Sequence, residues 1–136
     1  MHHAPTSTEL NILSKASNEE RLDYFLTRAM ESEEVWGLSN QSGWVMREEE
    51  NGSCILPVWS YSTLSQSCAQ GDWASHTPDS VSLEHFVYRI LVTLKEQQIQ
   101  LEVLPSQHQS GLLIKADSLF EIFERKLDAV EYFLES

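Results

Sequence analysis

Glycine, cysteine, basic side chains and long apolar runs are all scarce in this sequence. Its 136 residues include five glycines, and none gathers into a phosphate-cradling loop, so both G-x-G-x-x-G and Walker A are missing. A nucleotide cofactor is not expected. The two cysteines, Cys54 and Cys68, match neither a C-x-x-C redox pair nor a zinc ligand set and are too few for a disulfide framework. A reducing, cytoplasmic compartment is the expectation. No stretch approaches the length of a membrane span, and MHHAPTSTELNILSKAS lacks the basic segment and apolar run of a signal peptide, so neither membrane insertion nor export is expected.

Basic residues number nine against 21 acidic ones, a net charge of -12 that repels nucleic-acid phosphates and anionic membrane surfaces. The acidic surplus serves solubility, and it equally suits a basic protein partner.

Catalytic patterns are missing too. No G-x-S-x-G elbow occurs. The histidines His2, His3, His76, His85 and His108 include no pair at the i, i+4 spacing of a two-ligand metal face, so no metal is expected. His76, in DWASHTPD between Asp72 and Asp79, reads either as a solvated loop histidine or as a proton carrier. Cys68 shares a helical face with Tyr61 and Leu64, and Cys54 a strand face with Leu56 and Val58, which places both thiols in packing. The run Glu48 to Glu50 reads as a solvated hairpin tip.

The pattern that is present reads as one α+β domain over residues 17–136, preceded by a flexible tail over 1–16. Ser17 and Glu20 have capping-box spacing, and Leu22, Phe25, Leu26 and Ala29 share one face, predicting a helix from about Asn18 to Glu33. Three short runs follow, Val35 to Ser39, Gly43 to Arg47 and Ser53 to Val58, parted by turn-rich segments; they predict a three-stranded antiparallel meander. Beyond Trp59 the apolar spacing lengthens to that of a short helix, which Gly71 is placed to end, and DWASHTPDS reads as loop. Ser82 caps a helix with Phe86, Ile90 and Leu94 inward, widened by Val87 and Leu91. A hairpin of IQLEVLP and LLIK and a long helix capped by Asp117, with a stripe of Phe120, Phe123, Leu127, Val130 and Leu134, complete the order α-β-β-β-α-α-β-β-α. Hairpins interleaved with about four helices predict an antiparallel or mixed sheet.

Four tryptophans, Trp36, Trp44, Trp59 and Trp73, fall within about forty residues. They either fill the core or, partly exposed, anchor a ligand, because tryptophan is enriched among binding hot spots. Trp59 falls on the strand face opposite Cys54, Leu56 and Val58, and Trp73 lies in the loop after Gly71. Trp36, Trp59, Trp73 and His76 are therefore the candidate partner or ligand surface.

In order and spacing, the segments YFLTRAMESEEVWGL, GWV, LPVW, the Cys68-Ala69 pair, GDW and SLEHFVYRIL resemble the bacterial domain-of-unknown-function family DUF2750 over about Leu22 to Leu134. The resemblance implies a compact bacterial α+β domain, mostly encoded as a stand-alone protein, with no catalytic residues to carry over. The segment LPVWSYSTLSQSCA also resembles the LPVF-type segment of small domains related to the enhanced-serine-sensitivity protein, a group found among toxin-immunity proteins.

Three functional expectations follow. The first is a non-enzymatic protein-binding or adaptor module, in one version an immunity-like protein masking a basic partner. The alternative is a small-molecule sensor, or an enzyme without a familiar motif, with a cleft near Trp59, Trp73 and His76. The third is a structural homodimer paired through a sheet edge or apolar patch.

Overall fold

The computed structural model describes residues 5–107 and 109–135, with side chains to residue 129. His2, His3 and His108, and the Val130 and Leu134 positions of the last apolar stripe, lie outside these limits.

The segment expected as a tail carries a helix. Helix α1 (Ser7–Lys15) is capped by Thr6, whose hydroxyl accepts from the Glu9 N–H at 3.1 Å. None of its residues is fully buried, and polar tethers hold it together with Leu13, which packs partly buried against the core. Glu9 pairs with Arg28 at 3.0 Å and accepts from the Tyr24 hydroxyl at 2.9 Å.

Helix α2 (Asn18–Ser32) begins at the expected capping box of Ser17 and Glu20. It buries Phe25, Leu26 and Ala29 as the spacing requires, and it also buries Arg21.

The meander is replaced by two sheets. Strand β1 (Glu34–Asn40) forms a short hairpin with β2 (Gly43–Trp44) and pairs along its length with β5 (Thr77–Ser82). The chain then breaks at Val45 and Met46, so the run expected as one strand splits, and β3 (Arg47–Glu48) joins β4 (Cys54–Val58) in the second sheet. That sheet has the order β3-β4-β6-β7, with β4 parallel to β6 (Gln100–Val103) and β6 antiparallel to β7 (Leu112–Lys115). It is the mixed sheet. Trp36 and Trp59 exchange backbone hydrogen bonds at 2.8 Å each, which couples the two sheets.

Strand β5 stands where a loop was expected, because Pro78 and its polar neighbours read as turn residues. An edge strand accepts proline where the missing N–H would face away from the ladder, and β5 is the edge next to β1. The Trp44 indole crosses this sheet to donate to Asp79 at 2.9 Å. It can do so only over a glycine, since a Cβ on Gly37 would lie 2.3 Å from the ring.

After the short helix α3 (Ser62–Gln66), Gly71 has a φ of 59° and opens a 3-10 turn, Gly71–Trp73, rather than ending the helix itself. Helix α4 is continuous through Leu83–His85, a π turn at Phe86–Ile90 and Leu91–Gln97. Ser82 caps it as expected. The extra residue of the π turn rotates the later face, so Leu91 follows Phe86 and Val87 into the core while Ile90 is only partly buried.

Helix α5 (Ala116–Glu135) leaves β7 without a linker, so Asp117 lies inside the first turn, where it was expected to be the cap. Phe123 on α5 packs edge-on against Phe25 of α2 at 6.3 Å and Phe86 of α4 at 6.2 Å. Such edge contacts add to burial, and here they lock three helices around Val35, Leu38, Leu101 and Val103 in one core.

Candidate functional site

Strands β4 and β6 end side by side, and the chain beyond β6 makes the loop Leu104–Gly111. Leu104 starts it at a φ of 56°, a left-handed conformation that costs a bulky residue on the order of 1–2 kcal/mol. The surroundings hold it there. Its N–H donates to the Val58 carbonyl at 3.0 Å, and its carbonyl accepts from Nη2 of Arg21.

The Pro105 carbonyl accepts from the Trp59 indole at 2.9 Å and from the Cys68 thiol at 3.3 Å. Ser106 and Gln109 close the turn on each other through backbone and hydroxyl bonds. At the far end a Cβ on Gly111 would lie 2.3 Å from the Val103 carbonyl, and the Gly111 N–H donates to Glu102 at 2.8 Å. Only glycine allows so close an approach to backbone.

A depression lies on each side of this loop. The polar one, about 550 Å³, is lined by Arg47, Gln70, Trp73 and Glu102, with Cys68 in its wall. Arg47 pairs with the buried Glu102 at 3.2 Å and with Glu49 at 3.6 Å. The apolar one, about 460 Å³, lies between α1, α3 and the loop, walled by Leu10, Leu13, Leu64, Trp59 and Leu104, with Arg21 at its side.

Arg21 is 5% exposed. Nη1 donates to the Gln109 side-chain oxygen at 2.8 Å and to the Leu13 carbonyl at 3.4 Å, while Nε has no partner. No carboxylate stands within ion-pair distance of it among the described residues. Burial lowers its pKa, and the more distant charge of Glu102 offsets part of that effect.

The four residues singled out from sequence end in different places. Trp59 is 1% exposed, so it offers no open face to a partner: its indole N–H is satisfied inside, and its edge forms part of the wall of the apolar pocket. β4 is a central strand covered on both faces, so its outward alternation does not lead to solvent. Trp73 is half-buried on the rim of the polar depression. His76 is half-buried, its backbone N–H donates to the Trp73 carbonyl at 3.0 Å, and its Nδ1 is buried without a partner. It lines neither depression. Trp36 is half-buried against Tyr61, ring centres 6.5 Å apart, with its indole N–H unpartnered.

The expected cleft of Trp59, Trp73 and His76 is therefore not one cavity, because the loop separates Trp59 from Trp73. Sequence reading missed Arg21 and Glu102. Arg21 had a signal: with Phe25 and Ala29 it continues an i, i+4 column that faces the core.

Cys68 is inert by geometry and by environment, since burial pushes its thiol pKa up. Among the described residues no group of three or more His, Cys, Asp or Glu is arranged to hold a metal ion, and no helix is long and apolar enough to cross a membrane.

Fold and site together define a single α+β domain of two open sheets, with paired depressions at the ends of parallel strands. The model of the family described as protein of unknown function (DUF2750) matches residues 22–122, and the chain belongs to that family. No curated protein matches the sequence.

Proposed function

We propose that the chain is a non-enzymatic binding domain of a reducing, cytoplasmic setting, and that its ligand occupies the apolar pocket beside the Leu104–Gly111 loop. The pocket itself carries this reading: about 460 Å³ of mainly apolar wall with a few convergent polar groups is the usual form of a small-molecule site. Its position supports the same reading, because ligands of open sheets gather outside the carboxyl ends of parallel strands. The protonated, internally bonded Cys68 favours binding over thiol chemistry.

The test is a fragment screen followed by two-dimensional NMR on the full chain. Shifts centred on the Trp59 indole N–H, Leu13, Leu64 and Leu104 are expected. If every hit perturbs only other parts of the molecule, the pocket is not the site.

The net charge of -12 favours a second reading, an adaptor or immunity-like role with a basic protein partner, because charge complementarity speeds encounter. Affinity capture at low salt that repeatedly enriches no basic protein would remove that reading.

A further inference from the structure

We infer that the apolar pocket takes a small amphipathic carboxylate, with Arg21 holding the anionic head and Leu10, Leu13, Leu64 and the Trp59 edge the apolar body. The inference rests on the pocket being the ligand site. Its starting point is a charge left unpaired by the fold: side chains of arginine are almost never so fully buried without a carboxylate partner. Arg21 meets three neutral oxygens instead, those of Leu13, Leu104 and Gln109, and its Nε–H meets none. A guanidinium left in this state at the side of an apolar cavity is complementary to one anionic group on an apolar stem.

Gln109 shows how such a head would enter. Its amide oxygen occupies Nη1 of Arg21 at 2.8 Å, and its amide nitrogen donates to the Ser14 carbonyl on α1 at 3.2 Å. A carboxylate replacing that amide on Nη1 exchanges a neutral acceptor for a charged one, and charge-assisted bonds are roughly twice as strong. The displaced Gln109 then lets go of α1, a helix with no fully buried residue, so the wall that must move is one the ligand helps to unlatch.

The other features lead elsewhere. Arg47 in the polar depression also has an unpartnered Nε, but its charge is already more than matched by Glu102 and Glu49, so that cavity leaves no positive charge for an anion to satisfy. A single guanidinium between leucines suits a monoanion, whereas a phosphate dianion would carry more charge than the site neutralises.

The experiment is calorimetric titration of the intact chain with octanoate, octan-1-ol and acetate, with melting curves in parallel. Octanoate is expected to bind one per chain and raise Tm, octan-1-ol to bind about tenfold more weakly, and acetate to leave no signal. Arg21→Gln should erase the preference for octanoate over octan-1-ol. Should that variant fail to fold, Gln109→Ala serves instead: with the internal competitor gone, octanoate should bind several-fold tighter and octan-1-ol unchanged. Equal binding of octanoate and octan-1-ol overturns the role of Arg21 and leaves the pocket as a site. No binding by either probe overturns the amphipathic ligand outright, while a hit of other chemistry at the Trp59 indole in the NMR screen would still uphold the pocket.

Discussion

The two depressions share Pro105, Ser106 and Gln109, the crest of one loop, and differ in what each does with its arginine. On the polar side Arg47 lies between Glu102 and Glu49, and its charge is more than matched within the fold. On the apolar side Arg21 is deeper and meets only carbonyl and amide oxygens. An ion pair closed within the fold completes itself, so it is architecture; a buried lone cation is either a structural bolt or a waiting half of a pair. Arg21 is both, since it ties α1, α2 and the loop together and borders an apolar cavity.

The largest expected effect tests the bolt. Arg21→Ala removes three hydrogen bonds and leaves the Leu104 carbonyl without its side-chain donor in a strained residue, for a loss of about 3 kcal/mol in urea unfolding. A loss below that of Arg47→Ala would reverse the contrast. Gly111→Ala comes next: backbone at 2.3 Å cannot yield as a side chain can, so the loop must shift, costing about 2 kcal/mol and altering signals in both depressions.

Arg47→Ala should cost about 1 kcal/mol, because the arginine is partly solvated and Glu102 keeps its bond from the Gly111 N–H. Double-mutant analysis with Glu102→Gln would isolate the pair. The smallest effect concerns the α1 wall. Burial first, and then the bond to Glu9, push the Tyr24 pKa up to about 12. A pKa raised on folding means the native state holds this proton more tightly than the unfolded chain does. Its contribution is complete below pH about 10 and is lost as pH climbs towards about 12. Tyr24→Phe should cost about 0.5 kcal/mol at neutral pH and flatten that alkaline decline, measured by unfolding at several pH values.

Legibility in the sequence followed the range of the interactions. The capping box at Ser17 and Glu20, the Ser82 cap and the inward face of α2 depend on neighbours three or four residues away, and each was readable, whereas on α5 Phe123 is fully buried with Ala116 and Leu119, which the expected stripe left out. Strand β5 was not, because its residues are turn-formers whose extended form is imposed by β1. Of the apolar pocket only Trp59 was legible in the sequence, and Trp73 marked the rim of the polar depression instead; Arg21 was hidden by the rule that charge goes outside, and the burial of Trp59 by an alternation that presumes one solvated face.

By itself, then, the sequence determined the α+β class, the helices α2 and α4 with their N-caps, the packing of Cys68 and the family, since these rest on local periodicity or on motif order. Only the tertiary structure decided that α1 docks, that one expected strand divides between two sheets, and that Trp59 and Trp73 fall on opposite sides of a loop. Those outcomes come from residues far apart in the chain, such as Arg21 with Leu104 and Arg47 with Glu102, where burial and charge are settled by what arrives from elsewhere.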